Sequence, residues 1–340
     1  MDGRTLWWDA EGRSICYINQ TLLPSRVEVE RCDTIGRLAT AIRDLEIRGA
    51  PALGVAGGYG MALAAARTAC VSLDSFFVEM DEYADLLIGT RPTAVNLAWG
   101  VKRVRNRMGE ARSVREAQEI AASEASQIAE EDVALCHAIG NHGAALLPDQ
   151  GTVLTHCNAG SLACVEWGTA LGVIRSAVRM GKAIRVIATE TRPLFQGSRL
   201  TAWELARDGI EVTVVTDSTA AFLMKRGDID AVLVGADRIC RDAVFNKVGT
   251  YMHAVCAHHH QIPFYVAAPY STFDRGAREE EVTVEERGRD EIAACGERML
   301  LPDGVPVKNL AFDATPLSLI SAIITESGVI TPPYTSDLFL

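Results

Sequence analysis

No C-x-x-C pair occurs among the nine cysteines of this 340-residue sequence, and no cysteine and histidine cluster has the spacing of zinc ligands. An odd set of thiols without a pairing pattern excludes a disulfide framework and leads to the expectation of a reduced, cytoplasmic protein. Also missing is the roughly eighteen-residue apolar run that a membrane span requires. The opening Met1-Asp2-Gly3-Arg4 carries no basic-then-apolar leader. Positive charge is the scarcer sign: 33 Lys and Arg stand against 44 Asp and Glu, a net charge of -11 with a pI near 5.2, which argues against a nucleic-acid partner. The local exception, Lys102, Arg103, Arg105, Arg107 and Arg112, reads as a solvated helix face. No G-x-G-x-x-G follows the first strand of the second half and no G-x-x-x-x-G-K-[ST] occurs, so nucleotide cofactors lack their fingerprint. Internal repeats at periods of roughly 20 to 50 residues are absent as well.

What is present is an ordinary globular composition, 48% apolar and 23% charged. The length exceeds one typical core, so the chain reads as an α/β protein of two domains: a smaller, mostly helical one over 1–125 that carries a β-hairpin, and a Rossmann-like parallel sheet over 126–340. The hairpin pairs 6–9 with 14–18 around Ala10-Glu11-Gly12-Arg13. A helix over 33–47 stops at Arg48-Gly49-Ala50-Pro51, and the next, over 51–66, is so rich in Gly and Ala that another backbone must approach it closely. Thr90-Arg91-Pro92-Thr93 opens a further helix, and a long helical pattern over 113–147 joins the domains. Apolar runs of strand length then fall at 152–156, 185–189, 212–216, 231–235 and 264–268. Helical patterns at 198–208, 219–225 and 246–258 lie between them, the alternation of a parallel sheet buried on both faces.

The chain is organised around 151–177, which reads as a strand, a glycine-containing turn and a long helix. Cys157 then stands at a strand's carboxyl end just before a helix N-terminus, where free N–H groups and the helix dipole favour an anionic ligand and a thiolate. Glu190-Thr191-Arg192, Asp217-Ser218 and Asp237-Arg238 close the neighbouring strands, and open-sheet geometry gathers such residues on one rim. Asp237 follows an apolar strand, so partial burial would raise its pKa and keep it available as a proton donor. Arg48 and Arg91 flank helix starts and match phosphate oxygens as planar forks. Asn246-Lys247 opens the next helix as a place for substrate oxygens. His258-His259-His260 reads as a polar helix end, because neighbouring helical residues point in different directions.

Nine motifs in order across most of the chain carry a resemblance: IRGAPALGVAGGYG from Ile47, RPTAVNLAWG from Arg91, THCNAGSLA from Thr155, ETRPLFQGSRLTAWEL from Glu190, VTDS from Val215, VGADRI from Val234, NKVGTY from Asn246, PFYVAAP from Pro263 and FDATP from Phe312. On these the sequence resembles the methylthioribose-1-phosphate isomerases, within the larger family that includes ribose-1,5-bisphosphate isomerase and the regulatory subunits of the eukaryotic initiation-factor nucleotide exchanger. The resemblance implies a catalytic pair, Cys157 and Asp237, and a sugar-phosphate site formed by Arg48, Gly49, Ala50, Arg91, Gln196, Asn246 and Lys247. It implies a helical N-terminal domain, a Rossmann-like C-terminal domain and a homodimer.

The implied chemistry explains these residue types. An aldose 1-phosphate is a locked cyclic acetal, so an acid, assigned to Asp237, must protonate the ring oxygen before isomerisation. Cys157 then either removes the C2 proton in a cis-enediol route or stabilises a hydride shift. Arg, Lys and backbone N–H groups handle the phosphate, so neither cofactor nor metal is required. Three readings follow: isomerisation of 5-methylthioribose 1-phosphate in methionine salvage, the same chemistry on 5-deoxyribose 1-phosphate or ribose 1,5-bisphosphate, and a non-catalytic regulatory binding subunit.

Overall fold

The computed structural model describes residues 3–296 and 298–334. The chain forms two units. One runs through His137 and takes in Gly160–Gly168; the other holds Ala138–Ala159 and the chain from Thr169 onward.

In the first unit, Leu6–Asp9 (β1) and Ser14–Ile18 (β2) pair antiparallel as the hairpin, and Val29–Cys32 (β3) adds a third strand beside β2. Five helices follow: Ile35–Arg43 (α1), Ala50–Arg67 (α2), Leu73–Ile88 (α3), Val95–Met108 (α4) and Val114–Ala144 (α5), the last of which passes into the second unit from Ala138 on. The Thr34 side chain caps α1 by accepting from the Arg37 amide. α1 ends before residue 47 because Leu45 turns left-handed, with φ of 62°, and the Glu46 and Ile47 amides both return to the Ala41 carbonyl. The close approach expected of the Gly- and Ala-rich helix is made to α4: a Cβ on Gly100 would lie 1.9 Å from the Gly54 carbonyl oxygen. Leu38, Ile42, Leu53, Tyr59, Phe76, Leu97, Val101 and Val104 fill the core around that contact. The basic run is not simply solvated. Arg103 is bound to Glu124 at 2.7 Å and to Glu131, and Arg105 to Asp81 at 2.6 Å, so carboxylates of α3 and α5 neutralise the face.

In the second unit the strands Gln150–Thr155 (β4), Ala183–Thr189 (β5), Val212–Val215 (β6) and Ala231–Val234 (β7) alternate with the helices Ala170–Arg179 (α6), Ala202–Arg207 (α7) and Thr219–Arg226 (α8). Arg238–Ile239 (β8), Ala243–Lys247 (β9), the helix Thr250–His259 (α9) and Phe264–Ala267 (β10) continue the chain. A four-residue helix, Asp290–Ala293 (α10), precedes the two-residue strands Ala294–Cys295 (β11) and Arg298–Met299 (β12), and Phe312–Pro316 (β13), Ala322–Thr325 (β14) and Gly328–Ile330 (β15) follow. The main sheet has the order β15-β14-β10-β7-β4-β5-β6 and is parallel except for β15. The chain leaves β4 toward β5 and β6 and returns on the other side of β4 at β7. β4 and β7 therefore flank the switch point where open α/β sheets bind ligands.

Two expectations are corrected. Asn246 and Lys247 do not open a helix; they end β9, which pairs antiparallel with β13, Asn246 opposite Asp313 and Lys247 opposite Phe312. Nor does a helix follow Cys157 directly. After a single turn at Ser161–Ala163, helix α6 begins only at Ala170. Other groups take the backbone positions that a helix would use: Gln20 Nε2 donates to the Leu162 carbonyl at 2.7 Å, the Thr5 hydroxyl to the Cys164 carbonyl at 3.1 Å, and the Val165 amide to Asp132 at 2.8 Å.

A buried ion pair ties α6 to α7. Arg175 reaches Glu204 at 2.8 Å and Asp208 at 2.6 Å, while Asn158 Nδ2 donates to the other Glu204 oxygen at 2.9 Å. Removing Glu204 leaves a buried guanidinium short of its innermost partner. Glu204→Ala is therefore expected to cost on the order of 3 kcal/mol, read as a lowered urea midpoint at unchanged m.

Candidate active site

Cys157 lies two residues beyond β4 in the left-handed region, with φ of 64°, a conformation that costs a side-chain-bearing residue about 1 to 2 kcal/mol. Two threonines hold it there. The Cys157 amide donates to Thr191 Oγ1 at 2.8 Å, and the Thr201 hydroxyl donates to the Cys157 carbonyl at 2.6 Å. Thr191 is itself left-handed, with φ of 65°, and is held by Asp217, whose carboxylate accepts the Thr191 and Arg192 amides, each at 2.7 Å. The thiol-bearing residue is 9% exposed. Its surroundings are hydroxyls and amides rather than the helix N-terminus expected from the sequence.

Asp237 follows β7, whose backbone runs beside β4 at the parallel-strand spacing of about 4.8 Å. The Asp237 amide donates to the Phe245 carbonyl at 2.9 Å, and the side chain is half-buried. Gly235 makes the approach possible, because a Cβ there would lie 2.8 Å from the Ala159 Cβ. The turns carrying Cys157 and Asp237 thus meet at the carboxyl ends of adjacent strands.

Gln196, on the loop after β5, is buried, and its Oε1 has no hydrogen-bond partner among the described residues. A buried amide oxygen without a donor costs about 1 to 3 kcal/mol, which a bound ligand's hydroxyl recovers. Asn246 Nδ2 donates to Thr250 Oγ1 at 3.0 Å, and the buried Lys247 ammonium donates to the Ala311 carbonyl at 2.6 Å and sits 4.5 Å from the Phe312 ring. The N-terminus of α9 is already filled: Asp313 accepts the Gly249 amide at 2.7 Å and the Tyr251 amide at 3.1 Å. Burial pushes the Asp313 carboxyl up to about 6. In the first unit, Arg48 Nε donates to Gln20 at 3.1 Å, Gly49 and Ala50 begin α2, and Arg91 lies in the turn before α4. Asn96, in the first turn of α4, has a buried Oδ1 without a partner among the described residues. It belongs to the RPTAVNLAWG motif, yet only the structure singles it out.

Two histidines that carry no spacing signal in the sequence are singled out by the structure. His156 and His253 are buried beneath the Cys157 turn, with ring centroids 4.8 Å apart. Burial lowers His156 to about 4 and His253 to about 3. A separate cluster in the first unit brings the Asp132 carboxylate and the Cys136 and Cys164 thiols within 4.8 Å of one another. The Cys164 hydrogen bond and burial raise the Cys136 thiol well above its ordinary value, and burial raises Asp132 to about 7. That is one donor fewer than the four ligands of a structural zinc site. No helix among the described residues is long and apolar enough to cross a membrane.

Because unfolding frees both buried imidazoles to take protons near pH 6.5, the unfolded state binds more protons between that value and their folded values of about 4 and 3. Their contribution to stability is therefore present at neutral pH and lost as pH falls through this window. Between pH 7 and 4.5, His253→Gln is expected to lose less unfolding free energy than the wild type in urea titrations.

Residues 46–332 match the Initiation factor 2 subunit family. The chain is 48% identical over 342 residues to the methylthioribose-1-phosphate isomerase of Roseiflexus sp., covering 98% of this chain and 96% of that protein. Among solved structures, the 5-methylthioribose 1-phosphate isomerase of Pyrococcus horikoshii is 41% identical, with 99% and 95% of the two chains covered and a TM-score of 0.91. An Archaeoglobus fulgidus structure described as translation initiation factor eIF-2B, subunit delta, is 53% identical, with 97% and 96% covered and a TM-score of 0.87.

Proposed function

The chain belongs to the Initiation factor 2 subunit family, and on that premise we propose that it is an aldose-ketose isomerase converting 5-methylthioribose 1-phosphate to 5-methylthioribulose 1-phosphate. Asp237 is the general acid and Cys157 the base or transition-state stabiliser. The observation that carries this reading is the meeting of the Cys157 and Asp237 turns at the switch point, where Gly235 packs against Ala159. A strained, over-determined thiol-bearing turn next to the turn of a half-buried carboxyl suits chemistry, and a binding scaffold gains nothing by maintaining it.

The steps follow from the acetal. Asp237 gives a proton to the ring oxygen as the C1 to ring-oxygen bond breaks, leaving C1 as an open-chain oxocarbenium whose oxygen still carries the phosphate. From C2, Cys157 takes the proton that returns to C1 in the enediol route; in the hydride route the hydrogen moves from C2 to C1 directly and the thiol group stabilises the charge that develops; in both, the C2 hydroxyl proton leaves as C2 becomes the ketone and reprotonates Asp237. Arg48, Arg91, Lys247 and the backbone of Gly49 and Ala50 take the phosphate oxygens. Gln196 Oε1 and Asn246 take sugar hydroxyls, the first because its buried oxygen needs a donor. A homodimer and a cytoplasmic location go with this reading; the nine free cysteines suit a reducing compartment.

The test is a turnover assay with 5-methylthioribose 1-phosphate, 5-deoxyribose 1-phosphate and ribose 1,5-bisphosphate side by side. Highest kcat/KM on the first supports the proposal; preference for another keeps the mechanism and changes the substrate. No ketose from any would favour the reading of a non-catalytic regulatory binding subunit. Cys157→Ser and Asp237→Asn are expected to lower kcat by at least about 100-fold, with the circular dichroism spectrum unchanged. Arg48→Ala and Arg91→Ala should mainly raise KM, provided the phosphate is bound equally in ground and transition states.

A further inference from the structure

We propose that His156 is a positioning residue for this isomerisation, a neutral buried strut that fixes the Cys157 turn against the segment bearing Asn246 and Lys247. This inference rests on the functional reading above and adds a residue to it. His156 directly precedes Cys157 and is 1% exposed. Its Nε2 lies 2.9 Å from the Val248 carbonyl oxygen, which can only accept, so Nε2 carries the proton. Nδ1 is then the acceptor, and the Thr189 hydroxyl donates to it at 2.6 Å. The ring therefore spans three segments: the end of β4, the end of β5 and the residue after Lys247.

This geometry also determines the charge state. His253 Nε2 on α9 stands 3.3 Å from His156 Nδ1, the Asp217 carboxylate after β6 is 4.0 Å away, and the positive charge of Lys247 on β9 also acts on the ring. Burial and Lys247 disfavour a cation, and His253 is held neutral for the same reason of burial. An imidazolium would also lose the Thr189 hydroxyl as a donor to Nδ1. A neutral ring works here as a fixed two-ended linker, one end donating and the other accepting, and takes no proton from substrate. The chain of contacts continues from Thr189 Oγ1 to Thr191 Oγ1 at 3.4 Å, and Thr191 accepts the Cys157 amide. One rotamer change at His156 would thus release the Val248 carbonyl and the Thr189 hydroxyl, which stands beside Thr191, the acceptor of the Cys157 amide.

The test uses the full-length protein with His156→Leu, which removes both ends of the strut, His156→Gln, whose Nε2 can still reach Val248, and Thr189→Val, which removes only the hydroxyl donor. His156→Leu is expected to lower kcat by roughly 10- to 100-fold, the loss produced by a displacement of about 1 Å at the reacting groups. His156→Gln is expected to stay within about threefold of wild type, with Thr189→Val between them. The rate of iodoacetamide labelling at Cys157, read by peptide mass spectrometry, should rise in the Leu variant and remain near wild type in the Gln variant. This labelling needs no substrate. If wild-type protein turned over none of the three sugar phosphates, the functional reading would fail while labelling still decided the positioning role. Should His156→Leu fail to fold, Thr189→Val and His156→Gln carry the same comparison. The proposal is overturned if His156→Leu, or in its absence Thr189→Val, leaves both kcat and Cys157 labelling unchanged, or if His156→Gln is as impaired as His156→Leu. A wild-type kcat/KM inflection near pH 6.5 that disappears in His156→Gln would also overturn it, because the ring would then be a proton carrier.

Discussion

Two threonine hydroxyls hold Cys157 in a backbone conformation that the residue would not adopt alone, and the geometry of the site depends on them. Thr201 satisfies the Cys157 carbonyl and Thr191 its amide. Thr191 is in turn fixed by the paired amide contacts of Asp217. Strain at one residue is therefore distributed over three strand ends, β4, β5 and β6. The cost of a left-handed Cys is offset because its amide and carbonyl are both bonded before substrate arrives, so the proposed reaction needs little reorganisation of the Cys157 backbone.

The polarity around the thiol differs from that of a helix-capped anion site. The chain beyond Ala159 enters the first unit, where Asp132, Thr5 and Gln20 capture its backbone, and α6 begins only at Ala170. The other candidate dipole, at α9, is occupied by Asp313. Phosphate recognition in the proposed mechanism consequently falls to side chains, Arg48, Arg91 and Lys247, with the backbone of Gly49 and Ala50. Arginines suit this task because their charge persists at any physiological pH and their planar donors match two oxygens at once.

The N-terminal unit shows how small residues set geometry at a distance. Gly54 and Gly100 let α2 and α4 touch backbone to backbone, which places the starts of both helices, and with them the Arg48 and Arg91 turns, on one rigid pair. Ion pairs of the basic run with Glu124, Glu131 and Asp81 tie α4 in turn to α5 and α3.

Local chemistry was enough to read the parallel strands, the hairpin, the Gly- and Ala-rich helix and the candidate pair of Cys157 and Asp237, because each rests on a short apolar period or a turn next to it. The sequence by itself also determined which residue types stand at the strand ends. Only tertiary structure decided what non-local bonds decide: that the chain from 161 to 169 makes one short turn instead of a continuous helix, since carbonyls and amides there are taken by residues more than thirty positions away, and that Asn246 and Lys247 end a strand, since β13 arrives from more than sixty residues later to pair with it. The roles of Thr191, Thr201, His156 and the unpartnered oxygen of Gln196 belong to the same class. Each depends on which groups a folded chain brings within hydrogen-bond reach, and periodicity along the sequence carries no record of that.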